Sequence, residues 1–74
     1  MRKLFKTEYF RKKYGITQSE MAGLLGVQQG TYSAKINGRA GIGLDEMLII
    51  HEALNKKAKK KGDEELTLDD IFLD

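Results

Sequence analysis

Two adjacent glutamines, Gln28 and Gln29, carry amides able to donate and accept together, the pattern that matches the N6 and N7 edge of adenine. Other reactive side chains lack the neighbours that chemistry needs. Ser19, Ser33 and His51 have no base or orienting partner at a workable spacing, so no nucleophile is assembled. With no Cys and a single His, thiol catalysis, disulfides and structural zinc are excluded. Asp63, Glu64, Asp69 and Asp70 fit no calcium-loop spacing. The glycines at 38, 41 and 43 are followed by no phosphate-loop Lys-Ser or Lys-Thr pair and read as turn residues. The chain is expected to be no enzyme and to hold no metal or other cofactor.

What the chain has in quantity is charge, and the charge is divided. Residues 1–39 hold eight Lys or Arg against Glu8 and Glu20, a net +6, whereas residues 40–74 hold five Lys against nine carboxylates, a net −4. Such asymmetry suits one side that faces a polyanion. Arg2, Lys3 and the Arg11-Lys12-Lys13 run also fit solvated ends and faces. A chain of 74 residues, 41% hydrophobic and free of proline, makes one small domain. At this size only about 60% of the unfolded surface is buried, so well-packed helices or a partner must supply the core. The longest apolar run, Met47 to Ile50, is far short of the roughly 20 residues of a membrane span. No apolar region in residues 1–10 suits a signal peptide, and a cytoplasmic location is expected.

Helical spacing dominates the elements that must position these groups. Phe5 with Tyr9, and Phe10 with Tyr14, stand four apart in a first helix over 5–14, which sends Arg11, Lys12 and Lys13 outward and stops at Gly15. Aromatics at this spacing read as core rather than as a platform for single strands. Thr17 and Glu20 form a capping box for a second helix over 18–25, with Met21, Leu24 and Leu25 on one side and Gly26 suited to a left-handed turn. A third helix fits 29–36 and ends at Asn37-Gly38. The series Leu44, Met47, Leu48, Ile50, His51, Leu54 makes a fourth, with Asp45 and Glu46 in its first turn and lysines 56, 57, 59, 60 and 61 at its end, both suited to the helix dipole. Gly62 breaks it. Thr67 with Asp70 starts a last turn that carries Leu68, Ile71 and Phe72 to the core. The expectation is an all-α, five-helix single domain over 1–74.

Residues 18–37 run Gln, apolar, Ala, apolar, Gly, apolar and then a polar helix start. Ala22 is small where a second helix must cross, and Gly26 is placed for the tight turn between near-perpendicular helices. This pattern resembles the helix-turn-helix of the Cro/cI-like (lambda-repressor-like, XRE) family of phage and bacterial regulators. The likeness extends from Phe10-Arg11 to Leu54, with Leu68 to Phe72 as the closing helix. It implies a lambda-repressor-like fold that binds double-stranded DNA sequence-specifically, with the recognition helix at about 28–36 docked in the major groove. It implies base contacts from Gln28, Gln29 and Ser33, and phosphate contacts from Gln18, Thr31, Lys35, Asn37, Arg39 and, in the first helix, Arg11. Gln18 is expected to brace Gln29 as well. A homodimer on DNA is implied, and Ile49 together with the Ile71-Phe72-Leu73 end is a candidate dimer surface. With no second domain in these residues, the likeness is to a Cro-type repressor.

This sequence also departs from the pattern it resembles. Gly30 and Ala34 stand where related repressors often carry a base-contacting side chain, which leaves more of the recognition to shape. Lys35 stands where an apolar residue usually closes the recognition helix, with Ile36 one position later, so a shifted or overwound helix end is expected. Lys56 to Glu65 makes a longer connection than usual. The same residues allow a second function, a protein-interaction module of the antirepressor or antitoxin-like kind whose acidic C-terminal half binds the partner, because a fold does not fix a function.

Overall fold

Thr17 Oγ1 accepts from the Glu20 amide at 3.0 Å while the Glu20 carboxylate accepts from the Thr17 amide at 3.1 Å, so α2 (Gln18–Leu25) begins at the expected capping box. Thr67 and Asp70 repeat the exchange ahead of α5 (Leu68–Phe72). Ahead of α4 (Leu44–Lys60), the Glu46 carboxylate accepts from the Gly43 amide at 3.1 Å. Gly26 closes α2 at φ +72°, a conformation that strains any residue with a Cβ. With α1 (Phe5–Lys13) and α3 (Gln29–Ile36), these helices complete the computed structural model, which describes residues 3–73 and contains no strand among them. Arg2 lies outside the described residues.

The core gathers Met21 and Ala22 from α2, Tyr32 and Ile36 from α3, Ile50, Leu54 and Ala58 from α4 and Ile71 from α5, with Tyr14 and Ile16 from the α1–α2 connection. Two expectations about α1 are corrected. Phe5 and Tyr9 are 65% and 61% exposed, and the face α1 buries is Thr7, Arg11 and, just past its end, Tyr14. At 100° per residue the pairs Phe5/Tyr9 and Phe10/Tyr14 point about 140° apart, so only one of them can face the core. Arg11 therefore turns inward rather than outward. Thr7, fully buried, donates through Oγ1 to the Ile71 carbonyl at 3.0 Å and fastens α1 to α5.

Ile36 is buried and ends α3 in register, with the Asn37 amide bonded to the Ser33 carbonyl at 2.9 Å, so the helix end is neither shifted nor overwound. Ile71 is also buried completely, which removes it from the candidate dimer surface, and Phe72 packs against the core beside it. Leu24, Leu44 and Leu48, expected on apolar stripes, are exposed.

The segment expected as a long connection is mostly helix. Since α4 continues to Lys60, only residues 61–67 join it to α5, with Gly62 turning the chain at φ +75°. That link is clamped at Leu66. Asn55 Oδ1 accepts from the Leu66 amide at 2.7 Å, Asn55 Nδ2 donates to the Leu66 carbonyl at 2.9 Å, and His51 Nε2 lies 2.8 Å from the same carbonyl. His51 is thus a packed helix residue, as its place in the α4 stripe suggested. Nearby, the buried Tyr14 donates its hydroxyl proton to Asp63 at 2.9 Å.

Replacing Asn55 with Ala leaves the Leu66 amide without its partner near the core. We expect Asn55→Ala to lower unfolding free energy by about 1–3 kcal/mol in urea denaturation. An unchanged midpoint would show that the clamp contributes nothing to holding α5.

Candidate nucleic-acid interface

The α3 helix buries one face through Tyr32 and Ile36 and leaves the opposite face to solvent. Gln28, its N-cap, and Gln29 and Thr31, in its first turn, are exposed; Ser33 is half-buried. Gly30 is exposed too, with no atom within 4 Å of where a Cβ would stand. No side chain caps this helix and no carboxylate lies in its first turn. Its first amides and the positive end of its dipole are thus uncovered, whereas α2, α4 and α5 each begin beneath a carboxylate. Just beyond its end, Arg39 is exposed, its amide held by the Ala34 carbonyl at 2.9 Å.

What sets the position of α3 is a polar cluster around Glu8. Glu8 Oε2 accepts from Arg11 Nε at 2.7 Å and from the Tyr32 hydroxyl at 3.1 Å, while Oε1 accepts from Arg11 Nη2 at 3.1 Å and from Gln18 Nε2 at 3.0 Å. One carboxylate therefore ties α1, α2 and α3 together. Burial pushes the Glu8 carboxyl up, but the Arg11 and Gln18 hydrogen bonds, the Arg11 charge and the Tyr32 hydroxyl outweigh it and hold it below the usual range. The bond to Glu8 raises the Arg11 guanidinium in turn. Burial, reinforced by the Glu8 charge, pushes the Tyr32 hydroxyl up, so Tyr32 stays a donor.

Two expected phosphate contacts, Arg11 and Lys35, and the expected brace from Gln18 to Gln29 are corrected by this geometry. Arg11 is 8% exposed, and its third bond, from Nη1, goes to the Ile16 carbonyl at 2.6 Å, so its guanidinium is committed inside the domain rather than to a phosphate. Lys35 turns to α4, where Nζ donates to Glu46 and to the Gly41 carbonyl, both at 3.0 Å. This explains a lysine at an otherwise apolar position: it fastens α3 to the start of α4. Burial raises the Glu46 carboxyl, and the Gly43 amide together with Lys35 more than reverses this. Gln18 braces Glu8, and no hydrogen bond joins it to Gln29 among the described residues.

The other expected contacts lie along one run of chain, Gln28, Gln29, Thr31, Ser33, Asn37 and Arg39. Asn37 folds back on α3, donating through Nδ2 to the Ser33 carbonyl at 2.9 Å and to its hydroxyl at 3.2 Å. Glu8 and Glu46 were not anticipated as positioning residues. Glu8 was legible three residues before Arg11 in a helix, but nothing local links Lys35 with Glu46 eleven positions on. Among the described residues, no three His, Cys, Asp or Glu side chains are grouped to hold a metal, and no helix is long and apolar enough to cross a membrane.

Residues 8–60 match the family model described as helix-turn-helix, an interval that spans α1 from Glu8, the Glu8 cluster, the two middle helices and all of α4. No curated protein and no solved structure matches the chain.

The Glu8 cluster makes stability depend on acid. Glu8, Glu20, Glu46 and Asp70 are all held below their ordinary range, so in acid the unfolded chain binds more protons than the native one. Their contribution is complete above the ordinary Glu value of about 4.3 and is lost as pH falls through the lower native values. Glu8→Gln is expected to cost about 1–3 kcal/mol at pH 7 and to flatten the acid limb of a denaturation profile followed by circular dichroism. A variant with the wild-type acid limb would remove Glu8 from this role.

Proposed function

The chain belongs to the Cro/cI-like helix-turn-helix family of DNA-binding regulators, and from that premise we propose that it is a Cro-like repressor that docks α3 in the major groove of an operator as a dimer. The observation that carries this reading is the exposed, uncapped and carboxylate-free start of α3, a helix held at its angle by Glu8 and followed, past its other end, by the exposed Arg39. Gln28 and Gln29 read base edges from that end, with Ser33 one turn further along. Thr31, Asn37 and Arg39 hold the backbone. Gly30 and Ala34 place no bulk between them, so the helix backbone approaches the duplex closely and part of the selectivity comes from groove shape.

Dimerisation follows from affinity. A single small module makes few contacts, and two modules on half-sites about 34 Å apart supply what one lacks. The protein-interaction alternative has only part of the acidic half to use: Asp63 is held by Tyr14, Asp70 by Thr67, Glu46 by Gly43 and Lys35, and Glu52 lies 3.6 Å from Lys56, while Asp45, Glu64, Glu65 and Asp69 are exposed.

Selection from a random duplex pool at about 150 mM salt, where nonspecific phosphate binding is weak, is expected to recover an inverted repeat. Recovery of no motif would defeat the repressor reading. On the selected site, Gln29→Ala is expected to cost about 1–3 kcal/mol and to relax preference at one base pair, whereas Arg39→Ala weakens all sequences alike and lowers the salt slope by about one. Equal losses on cognate and random duplex would strip Gln29 of its base-reading role.

A further inference from the structure

Residues 37–43 link α3 to α4 and carry Arg39 among glycines 38, 41 and 43. Glycine leaves a backbone free to take many conformations, so a loop of this composition keeps one shape only where its surroundings hold it. The first part is tied to α3, where the Arg39 and Ala40 amides both donate to the Ala34 carbonyl, at 2.9 and 3.2 Å. The last part is tied to α4, where the Gly43 amide donates to Glu46 Oε1 at 3.1 Å. Lys35 closes the gap between them. Its Nζ donates to the Gly41 carbonyl and to that same Glu46 oxygen, both at 3.0 Å, so one ammonium joins the helix before the loop, the middle of the loop and the helix after it.

Neither attraction nor stability accounts for this pair. The Lys35 and Glu46 side chains are only 15% and 21% exposed and their charges cancel, which leaves little field for a polyanion. An ion pair so withdrawn from water adds little over an apolar side chain of similar volume. What an apolar side chain at position 35 lacks is direction: apolar contact has none, whereas a hydrogen bond weakens steeply when bent and so fixes the Gly41 carbonyl. A loop already held in its bound shape is not ordered at the moment of binding, and affinity gains by the cost avoided. Arg39 is the exposed cation on that loop.

We propose that Lys35 and Glu46 are positioning residues for the phosphate contact of Arg39: together they hold the glycine-rich loop in the shape that brings the Arg39 guanidinium to the duplex backbone, and neither touches the duplex itself. This rests on the DNA reading above and adds to it a side chain of α4, a helix that reading left out of binding.

Titration of a random-sequence duplex at about 50 mM salt, where phosphate contacts alone give binding, tests it on the full chain beside thermal melting and amide hydrogen exchange. Lys35→Met is expected to melt no lower than wild type and yet to bind about three- to thirtyfold more weakly, with faster exchange of the Arg39 and Ala40 amides in the free chain. Glu46→Ala removes a negative charge beside a polyanion site, which by charge alone tightens binding. It is expected to weaken binding instead. Lys35→Met combined with Arg39→Ala is expected to bind no more weakly than Arg39→Ala alone, because the lysine acts through the arginine. Multiplied losses in that double variant, or tighter binding by Glu46→Ala, would make Lys35 a direct phosphate contact and overturn the proposal. Lys35→Met that binds like wild type, or that loses binding only as far as it loses stability, overturns it too. A wild type that selects no motif but shows these losses on random duplex defeats the repressor reading and upholds the positioning role, whereas a wild type that binds no duplex defeats both.

Discussion

The Glu8 carboxylate accepts two hydrogen bonds on each oxygen, from donors on three helices, and the angle at which α3 meets solvent depends on it. Apolar contact alone is non-directional, and the Tyr32 ring packed into the core would tolerate rotation of α3 about its own axis. The bond from the Tyr32 hydroxyl to a carboxylate already held by Arg11 and Gln18 removes that freedom, because hydrogen bonds weaken steeply when bent. Arg11 extends the same constraint to the Ile16 carbonyl, at the point where the chain turns from α1 into α2. Ion pairs of this kind add little net stability over an apolar replacement, so the contribution of the cluster is to orientation.

Local signals made most of the architecture legible. Thr17 with Glu20 and Thr67 with Asp70 announce helix starts because each pair satisfies amides within a few residues of itself, and Gly26, Gly15 and Gly62 announce turns because each adopts a positive φ. The sidedness of α1 was harder. Four aromatics at helical spacing pointed to two different faces, and the face that is buried carries a threonine bonded to α5 and an arginine bonded both to Glu8 on its own helix and to the Ile16 carbonyl beyond it. Arg11 and Lys35 were read by residue type as outward cations, and both turned out to be internal fasteners: Glu8 stands one helical turn before Arg11, whereas Glu46, which claims Lys35, sits where only the folded chain can show it. Ile71 misled for the same reason. An apolar run at a terminus looks like spare surface until the helix it docks on is known.

The division of charge along the sequence changes meaning in three dimensions. Two cations of the basic half neutralise buried or half-buried carboxylates, and several carboxylates of the acidic half are engaged by caps, by Tyr14 or by neighbouring lysines. What remains distinctive is arrangement rather than amount. Three helices begin beneath a carboxylate that covers their first amides, and α3 begins beneath none. A field of this sort is local, falls off within a turn and complements a phosphate better than a diffuse excess of lysine does.

The bond from Thr7 to the Ile71 carbonyl joins positions 64 residues apart. Closing so long a loop is the last entropic cost the chain meets, whereas α1 to α3 can find their partners within the first 37 residues. During synthesis the segment that contains the Glu8 cluster leaves the ribosome first, and α1 lacks its cover until α5 has emerged as well. The order of translation thus separates the appearance of the helix-turn-helix from its consolidation, and a nascent chain is held short of its final rigidity until Ile71 is free to dock.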